Sequence, residues 1–252
     1  MSHNISKHFL SRALACALAV ALAATQAVAG TVSFSNILQS TQTPGDPPNL
    51  YGPADTSTPN QLLFPAPAAF SATAIGPGGA DITDGLLTFT VSVNDPLTGI
   101  TGLNFFEDGT WALLESVPGF AGLGTNVRNA IAGFVTVTSV NGVAVGGPTI
   151  PFSGANVSFN AVADLPPGSG FWNNGAGVGL GAIPGLVTSI DVAINNRLVA
   201  FSEGGPNGTS ISFIDKKRIT IRIDTEMIPE PSSIALLVTA LGGLGVVAGR
   251  RR

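Results

Sequence analysis

Acidic side chains are the groups most capable of chemistry in this chain beyond its N-terminal segment. The two histidines, His3 and His8, and the single cysteine, Cys16, all lie within the first sixteen residues. A cleaved leader would remove all three. The mature chain could then hold no Ser-His-Asp triad, no Cys-His dyad and no zinc site built on His or Cys.

A pair of carboxylates is the catalytic device that this composition still allows, as in glycoside hydrolysis. Glu107 and Glu203 are the best candidates because each lies beside a predicted glycine-rich turn. Turn carboxylates are usually only solvated, and no spacing pairs these two. The sequence therefore predicts no catalytic residues, and a hydrolase using Glu107 and Glu203 remains the weaker alternative.

Oxygen-bearing side chains bracket a predicted strand over Leu86–Val93 and could bind calcium at a loop end. They are Asp81, Asp84, Asn94 and Asp95. Their spacing fits no EF-hand, and ordinary turn chemistry accounts for them equally well. The sequence predicts no cofactor and no metal ligand, and calcium binding stays open.

Trp172 is the best candidate for stacking against a sugar ring. It lies in a glycine-rich stretch, 168–185, that reads as a connection between strands, and it is flanked by Phe171 and two asparagines. Most aromatic side chains of a β-sandwich belong to its core. A glycan-binding module with sugar stacking near Trp172 is therefore an alternative function.

The amino terminus has the layout of a secretory signal peptide. Residues 1–12 contain two basic and no acidic side chains, and 13–24 is apolar. Ala27 and Ala29 then precede Gly30 with the A-x-A spacing of a cleavage site. The Sec translocon and signal peptidase are the expected partners, and the mature chain is expected to start at Gly30.

The region 30–228 is long enough for one domain with a proper core. It holds six Lys and Arg against fourteen Asp and Glu, a formal charge of −8. An acidic surface repels nucleic acid, so no nucleic-acid partner is expected. The apolar content is too high for disorder.

Period-two alternation marks this region as β-structure, most clearly at Leu87, Phe89, Val91 and Val93. No sustained 3.6-residue period occurs, and the proline-rich stretch 39–60 reads as a loop. Short polar pairs and triplets predict turns between strands: Glu107-Asp108-Gly109, Asn141-Gly142, Asn195-Asn196 and Lys216-Lys217. These patterns predict a single antiparallel β-sandwich, with a jelly roll among the arrangements they allow.

The last twenty-four residues combine three elements in a fixed order. Pro229, Glu230 and Pro231 form a stiff extended tripeptide. Ser232 to Gly249 carries no charge, and as a helix it would span ~27 Å, close to the thickness of a bilayer core. The basic residues Arg250, Arg251 and Arg252 then end the chain and would stop transfer on the cytoplasmic side.

This ordered terminus resembles the PEP-CTERM sorting signal of Gram-negative bacteria. The resemblance covers about a tenth of the chain and rests on Pro229-Glu230-Pro231, the apolar run and the terminal arginines. It implies that an exosortase, an integral membrane cysteine transpeptidase, cuts near the tripeptide and passes the protein to the cell exterior. It also implies a biofilm setting.

Three segments follow from these observations: a signal peptide over 1–29, a β-sandwich ectodomain over 30–228, and a sorting and anchor segment over 229–252. We expect an exported protein, anchored in the inner membrane before processing and found at the cell surface or outside the cell afterwards. Its sandwich is predicted to be non-catalytic and to serve adhesion or association with exopolysaccharide.

Overall fold

A computed structural model describes residues 30–65, 69–115, 124–161, 168–205 and 208–228, and these are all-β. Among them no helix is long and apolar enough to cross a bilayer. The predicted signal peptide and the predicted anchor lie outside the described residues. The strands are β1 (Val32–Thr41), β2 (Gln61–Phe64), β3 (Ser71–Ile75), β4 (Gly79–Val93), β5 (Thr98–Glu115), β6 (Asn126–Val140), β7 (Val143–Ala144), β8 (Thr149–Ser153), β9 (Val157–Asn160), β10 (Ser169–Gly179), β11 (Val187–Ser202), β12 (Gly204–Gly205) and β13 (Gly208–Met227).

The strands form two antiparallel sheets, as the sequence predicts. Sheet one has the order β1-β4-β11-β6-β7, with β8 and β9 also paired to β6. Sheet two has the order β10-β5-β13-β12, with β2 and β3 also paired to β13. The long strands β11 and β13 lie inside the two sheets, since each is hydrogen-bonded to neighbouring strands along both edges.

Alternating side chains from both sheets fill the space between them. In β4, Leu87, Phe89 and Val91 are buried, and in β13 Ile219 and Ile221 are fully buried. These are the inward-facing positions that the period-two pattern predicts. The buried apolar side chains form one continuous core, which is the arrangement expected of two stacked sheets.

One predicted turn is confirmed. Asn141 and Gly142 connect β6 to β7, and both have positive φ, of 51° and 75°. Two central residues with positive φ are what a tight type I′ hairpin requires. The proline-rich loop is also confirmed over most of its length, since β1 ends at Thr41 and β2 begins at Gln61.

The other three predicted turns are wrong. Glu107-Asp108-Gly109 lies inside β5, Asn195-Asn196 inside β11, and Lys216-Lys217 inside β13. The glycine-rich stretch read as a connection instead contains strand β10. Of these polar residues, Glu107, Asn196 and Lys216 meet instead in the interior, where they satisfy one another's hydrogen bonds.

Both ends of the described body lie at the same end of the sandwich, around Thr98. The Gly30 carbonyl accepts hydrogen bonds from Asn60 Nδ2 at 2.9 Å and from Thr225 Oγ1 at 3.1 Å. A Cβ at Gly30 would lie 1.9 Å from Thr98 Oγ1, so a larger residue does not fit there. Met227, the last residue of β13, pairs with the same Thr98. We call this end the terminal pole.

Candidate functional site

Glu107, read from the sequence as a turn carboxylate, lies in the interior of the sandwich. It forms an ion pair with Lys216, through Oε2 and Nζ. Asn196 Nδ2 donates to the same Oε2 at 2.5 Å, and Asn129 Nδ2 donates to Oε1 at 2.6 Å. Both carboxylate oxygens are therefore occupied by protein donors.

These residues join the two sheets through a polar cluster, which we call the Lys216 cluster: Glu107, Asn129, Asn174, Asn196 and Lys216. Glu107, Asn174 and Lys216 come from sheet two, whereas Asn129 and Asn196 come from sheet one. Lys216 Nζ donates to Asn196 Oδ1 at 2.6 Å, and Asn174 Nδ2 donates to Asn129 Oδ1 at 2.5 Å. The hydrogen bonds therefore cross from one sheet to the other.

The cluster is enclosed by the core. Lys216 is 2% exposed, and its Nζ lies 4.8 Å from the ring centroid of Phe70 and 5.3 Å from that of Trp172. Burial lowers the pKa of Lys216 from 10.5 to about 8, even though the neighbouring Glu107 carboxylate favours the charged form. Lys216 therefore loses its proton more readily than a surface lysine does.

Trp172 is not an exposed sugar-stacking residue, and this prediction is wrong. Its side chain is only 3% exposed, and its indole Nε1 donates to the carbonyls of Thr110 at 3.2 Å and Asp215 at 3.1 Å. The cause is strand alternation, because 169–179 is a strand rather than a loop. The outward residue of the pair is the neighbouring Phe171, which is 88% exposed.

The outer face of sheet two presents a different aromatic surface. Phe106, 52% exposed, faces outward from β5, and its ring lies against Gly175 of the adjacent strand β10. A shallow depression of about 480 Å³ adjoins it, with Asp108, Asn173 and Arg218 in its lining. Phe171 lies farther along β10 on the same face. We call Phe106, Phe171, Asn173, Asp108 and Arg218 the outer aromatic face.

The two glutamates suggested for hydrolysis lie far apart. Asn196 contacts Glu107, and Glu203 lies seven residues farther along the chain, just beyond the end of β11. At ~3.3 Å per strand residue this corresponds to ~23 Å. Glycosidase carboxylates are separated by about 5–9.5 Å. Glu107 and Glu203 therefore cannot act as such a pair, and the hydrolase alternative built on them is wrong.

The four residues considered for calcium do not come together either. Asp81 and Asp84 lie near the start of β4, whereas Asn94 and Asp95 follow its end. Within the described ranges, no group of three or more His, Cys, Asp and Glu is arranged to hold a metal ion. Asp81 and Asp95 instead accept hydrogen bonds from the backbone amides of Thr73 and Leu97.

The residues of the predicted sorting motif and basic terminus, Pro229 to Pro231 and Arg250 to Arg252, lie outside the described residues, as do Ala27 and Ala29 of the predicted cleavage site. Gly30 is described and lies at the terminal pole. The last described residue is Ile228, whose amide donates to the Leu97 carbonyl at 2.9 Å.

Comparisons with known proteins give no family assignment. No protein-family profile and no curated protein matches the chain. Among solved structures, TmCBM61 in complex with β-1,4-galactotriose is 12% identical with a TM-score of 0.21, covering 69% of this chain and 91% of its own. CBM27-1 of Caldicellulosiruptor saccharolyticus in complex with mannohexaose is 9% identical with a TM-score of 0.19, covering 61% and 75%. A family 11 carbohydrate-binding module from Clostridium thermocellum is 9% identical with a TM-score of 0.18, covering 74% and 94%. TM-scores and sequence identities this low carry no argument about function.

Proposed function

We propose that this chain is an exported surface protein whose β-sandwich body is delivered by a signal peptide and released by an exosortase. One observation carries the proposal: β1 begins at Val32 and β13 ends at Met227, so described strands reach to within two residues of both predicted processing sites. Cleavage before Gly30 would leave the body intact, because Gly30 itself is packed against Thr98 and hydrogen-bonded to Asn60 and Thr225.

The carboxyl end supports the same proposal. Strand β13 ends at Met227, and the Pro-Glu-Pro tripeptide begins two residues later at Pro229. A cut at or after the tripeptide would remove no residue of the described strands. Because both ends belong to the terminal pole, the anchored protein would place that pole next to the membrane and present the opposite end outward.

The proposed role of the body is association with exopolysaccharide through the outer aromatic face. Exposed aromatic rings bury the apolar faces of sugars, and neighbouring amide and charged groups can bind hydroxyls. Phe171 and Phe106 supply the rings, and Asn173 and Arg218 supply hydrogen-bond donors. This surface takes the place of Trp172 in the glycan-binding hypothesis.

Processing can be tested in a Gram-negative host that encodes an exosortase. Glu230→Ala, or deletion of the three terminal arginines, is expected to trap a longer form of the chain in the membrane fraction. Glu226→Ala is the matched control, since Glu226 is an exposed acid at the end of β13 and should leave processing unchanged. Normal release of both tail variants would refute the sorting proposal.

Glycan association can be tested separately by co-sedimentation with exopolysaccharide from the producing cells. The double variant Phe106→Ala and Phe171→Ala should lower the bound fraction several-fold, because it removes the two exposed rings that would cover the apolar faces of a sugar. Phe134→Ala is the matched control, because Phe134 is similarly exposed but lies on sheet one. Equal binding by all three proteins would rule out the outer aromatic face.

A further inference from the structure

We propose that the Lys216 cluster forms a covalent bond between the two sheets. The bond is an amide between the side-chain nitrogen of Lys216 and the side-chain carbonyl carbon of Asn196, made with Glu107 as the proton carrier and with release of ammonia. This inference concerns the folded body alone and does not rest on export or on glycan binding.

The attacking and attacked groups are already in contact. Lys216 Nζ lies 2.6 Å from Asn196 Oδ1, so the amine sits beside the carbonyl that it would attack. Lys216 is on β13 and Asn196 on β11, and both side chains are buried between the sheets. Two reacting groups held in this way behave as an intramolecular pair, which removes much of the entropic barrier to reaction.

Glu107 touches both nitrogens whose protons must move. Its Oε2 accepts from Lys216 Nζ, the nitrogen that attacks, and from Asn196 Nδ2 at 2.5 Å, the nitrogen that leaves. A carboxylate in this position can take a proton from the amine and return it to the departing nitrogen, acting first as a general base and then as a general acid. No other described acid contacts both groups.

The atoms balance without an oxidant or reductant. The neutral Lys216 amine adds to Cγ of Asn196, forming a C–N bond and placing negative charge on Oδ1. Asn129 Nδ2, 3.5 Å from that oxygen, is positioned to donate to it as charge develops. Collapse of the intermediate breaks the bond from Cγ to Nδ2, and the amide nitrogen of Asn196 leaves as ammonia with the proton held by Glu107.

The surroundings of Lys216 favour attack by its amine over hydrolysis of the Asn196 side-chain amide by water. Phe70 and Trp172 cover the amine, and burial lowers the pKa of Lys216 to about 8, so the nucleophilic neutral form is accessible. The neighbouring Lys217 does not share this environment, because it is exposed and pairs with Asp215 at the surface. Of these two adjacent lysines, only Lys216 contacts an asparagine carbonyl and a buried carboxylate.

Peptide mapping of the full chain tests the bond directly. Trypsin cleaves after Arg128, Arg197 and Lys217, whereas an acylated Lys216 is not a trypsin site. We expect peptides 129–197 and 198–217 to be recovered joined, with a mass about 17 Da below their sum because one ammonia is lost when the lysine amine acts as nucleophile. Recovery of the two peptides unlinked and cut after Lys216, or a link from Lys216 to the peptide that holds Glu107, would overturn the proposal.

Variants separate the chemistry from the packing. Glu107→Gln keeps the size of the side chain but removes the proton acceptor, so the linked peptide should fall by a factor of about 100 or more at equal incubation time. Lys217→Met is the matched control and should retain the link, now on peptide 198–218 because trypsin then cuts after Arg218. A link that forms equally fast in Glu107→Gln would remove Glu107 from the mechanism. If that variant does not fold, the result on the unaltered chain still decides whether the bond exists.

Discussion

Replacing the adjacent aromatic residues Phe171 and Trp172 one at a time by alanine should change the stability by very different amounts. Strand β10 turns Trp172 inward, where it is 3% exposed, and turns Phe171 outward, where it is 88% exposed. Trp172→Ala removes a buried ring and the Nε1 donor to two backbone carbonyls. Core Trp→Ala changes cost about 3–5 kcal/mol, whereas an exposed substitution usually stays within about 0.5 kcal/mol.

Urea denaturation measures the difference. A body of this size has an m-value of about 2–3 kcal/mol/M, so Trp172→Ala should lower the midpoint by about 1–2.5 M. Phe171→Ala should shift it by no more than about 0.2 M on the same scale. Both variants keep Glu107, Asn196 and Lys216, and peptide mapping of each shows whether the link in the core is present. Equal shifts for both, or a larger shift for Phe171→Ala, would refute the strand assignment of 169–179 and with it the outer aromatic face.

Two further predictions test the packing around the Lys216 cluster. Gly109→Ala should lower stability by about 1–3 kcal/mol or more, because the new Cβ would lie 1.9 Å from the Asp215 carbonyl oxygen; Gly179→Ala, where nothing lies within 4 Å, should be neutral in the same thermal melts. Tyr51, the single tyrosine, is buried with its hydroxyl donating to the Gly85 carbonyl, and burial raises its pKa well above 10. A near-ultraviolet titration should therefore show no tyrosinate until the protein unfolds. The stability of the protein should fall as pH rises above 10, because the tyrosine of the unfolded chain loses its proton first. A tyrosinate signal at pH 10 in the folded protein would contradict this.

The β-class and the inward faces of the strands could be predicted from the sequence because they depend on local alternation. Leu87, Phe89 and Val91 lie where their spacing places them. The hairpin at Asn141-Gly142 could also be predicted from the sequence, since positive φ at both residues is a local requirement.

The Lys216 cluster could not be predicted by the same reasoning. Polar residues in mid-strand look like turns when each strand is read alone, and only tertiary pairing shows that Glu107, Asn196 and Lys216 meet. One signal was available for Glu107 and Asn196, because each interrupts two apolar runs that continue in phase on either side. At Lys216 the phase changes instead, since a register shift lies between Lys216 and Arg218. Leu103 and Phe105 before Glu107, for example, share its inward face. A turn would not need to preserve that phase.

The placement of β13 determines how an anchored protein would bear a pulling force. This strand leads directly toward the predicted membrane segment, and it is bonded to β5 along one edge and to β2 and β3 along the other. Tension between a captured polymer and the membrane would run lengthwise along it. The hydrogen bonds between antiparallel strands lie perpendicular to that direction. They would therefore be loaded together in shear and would not break one after another.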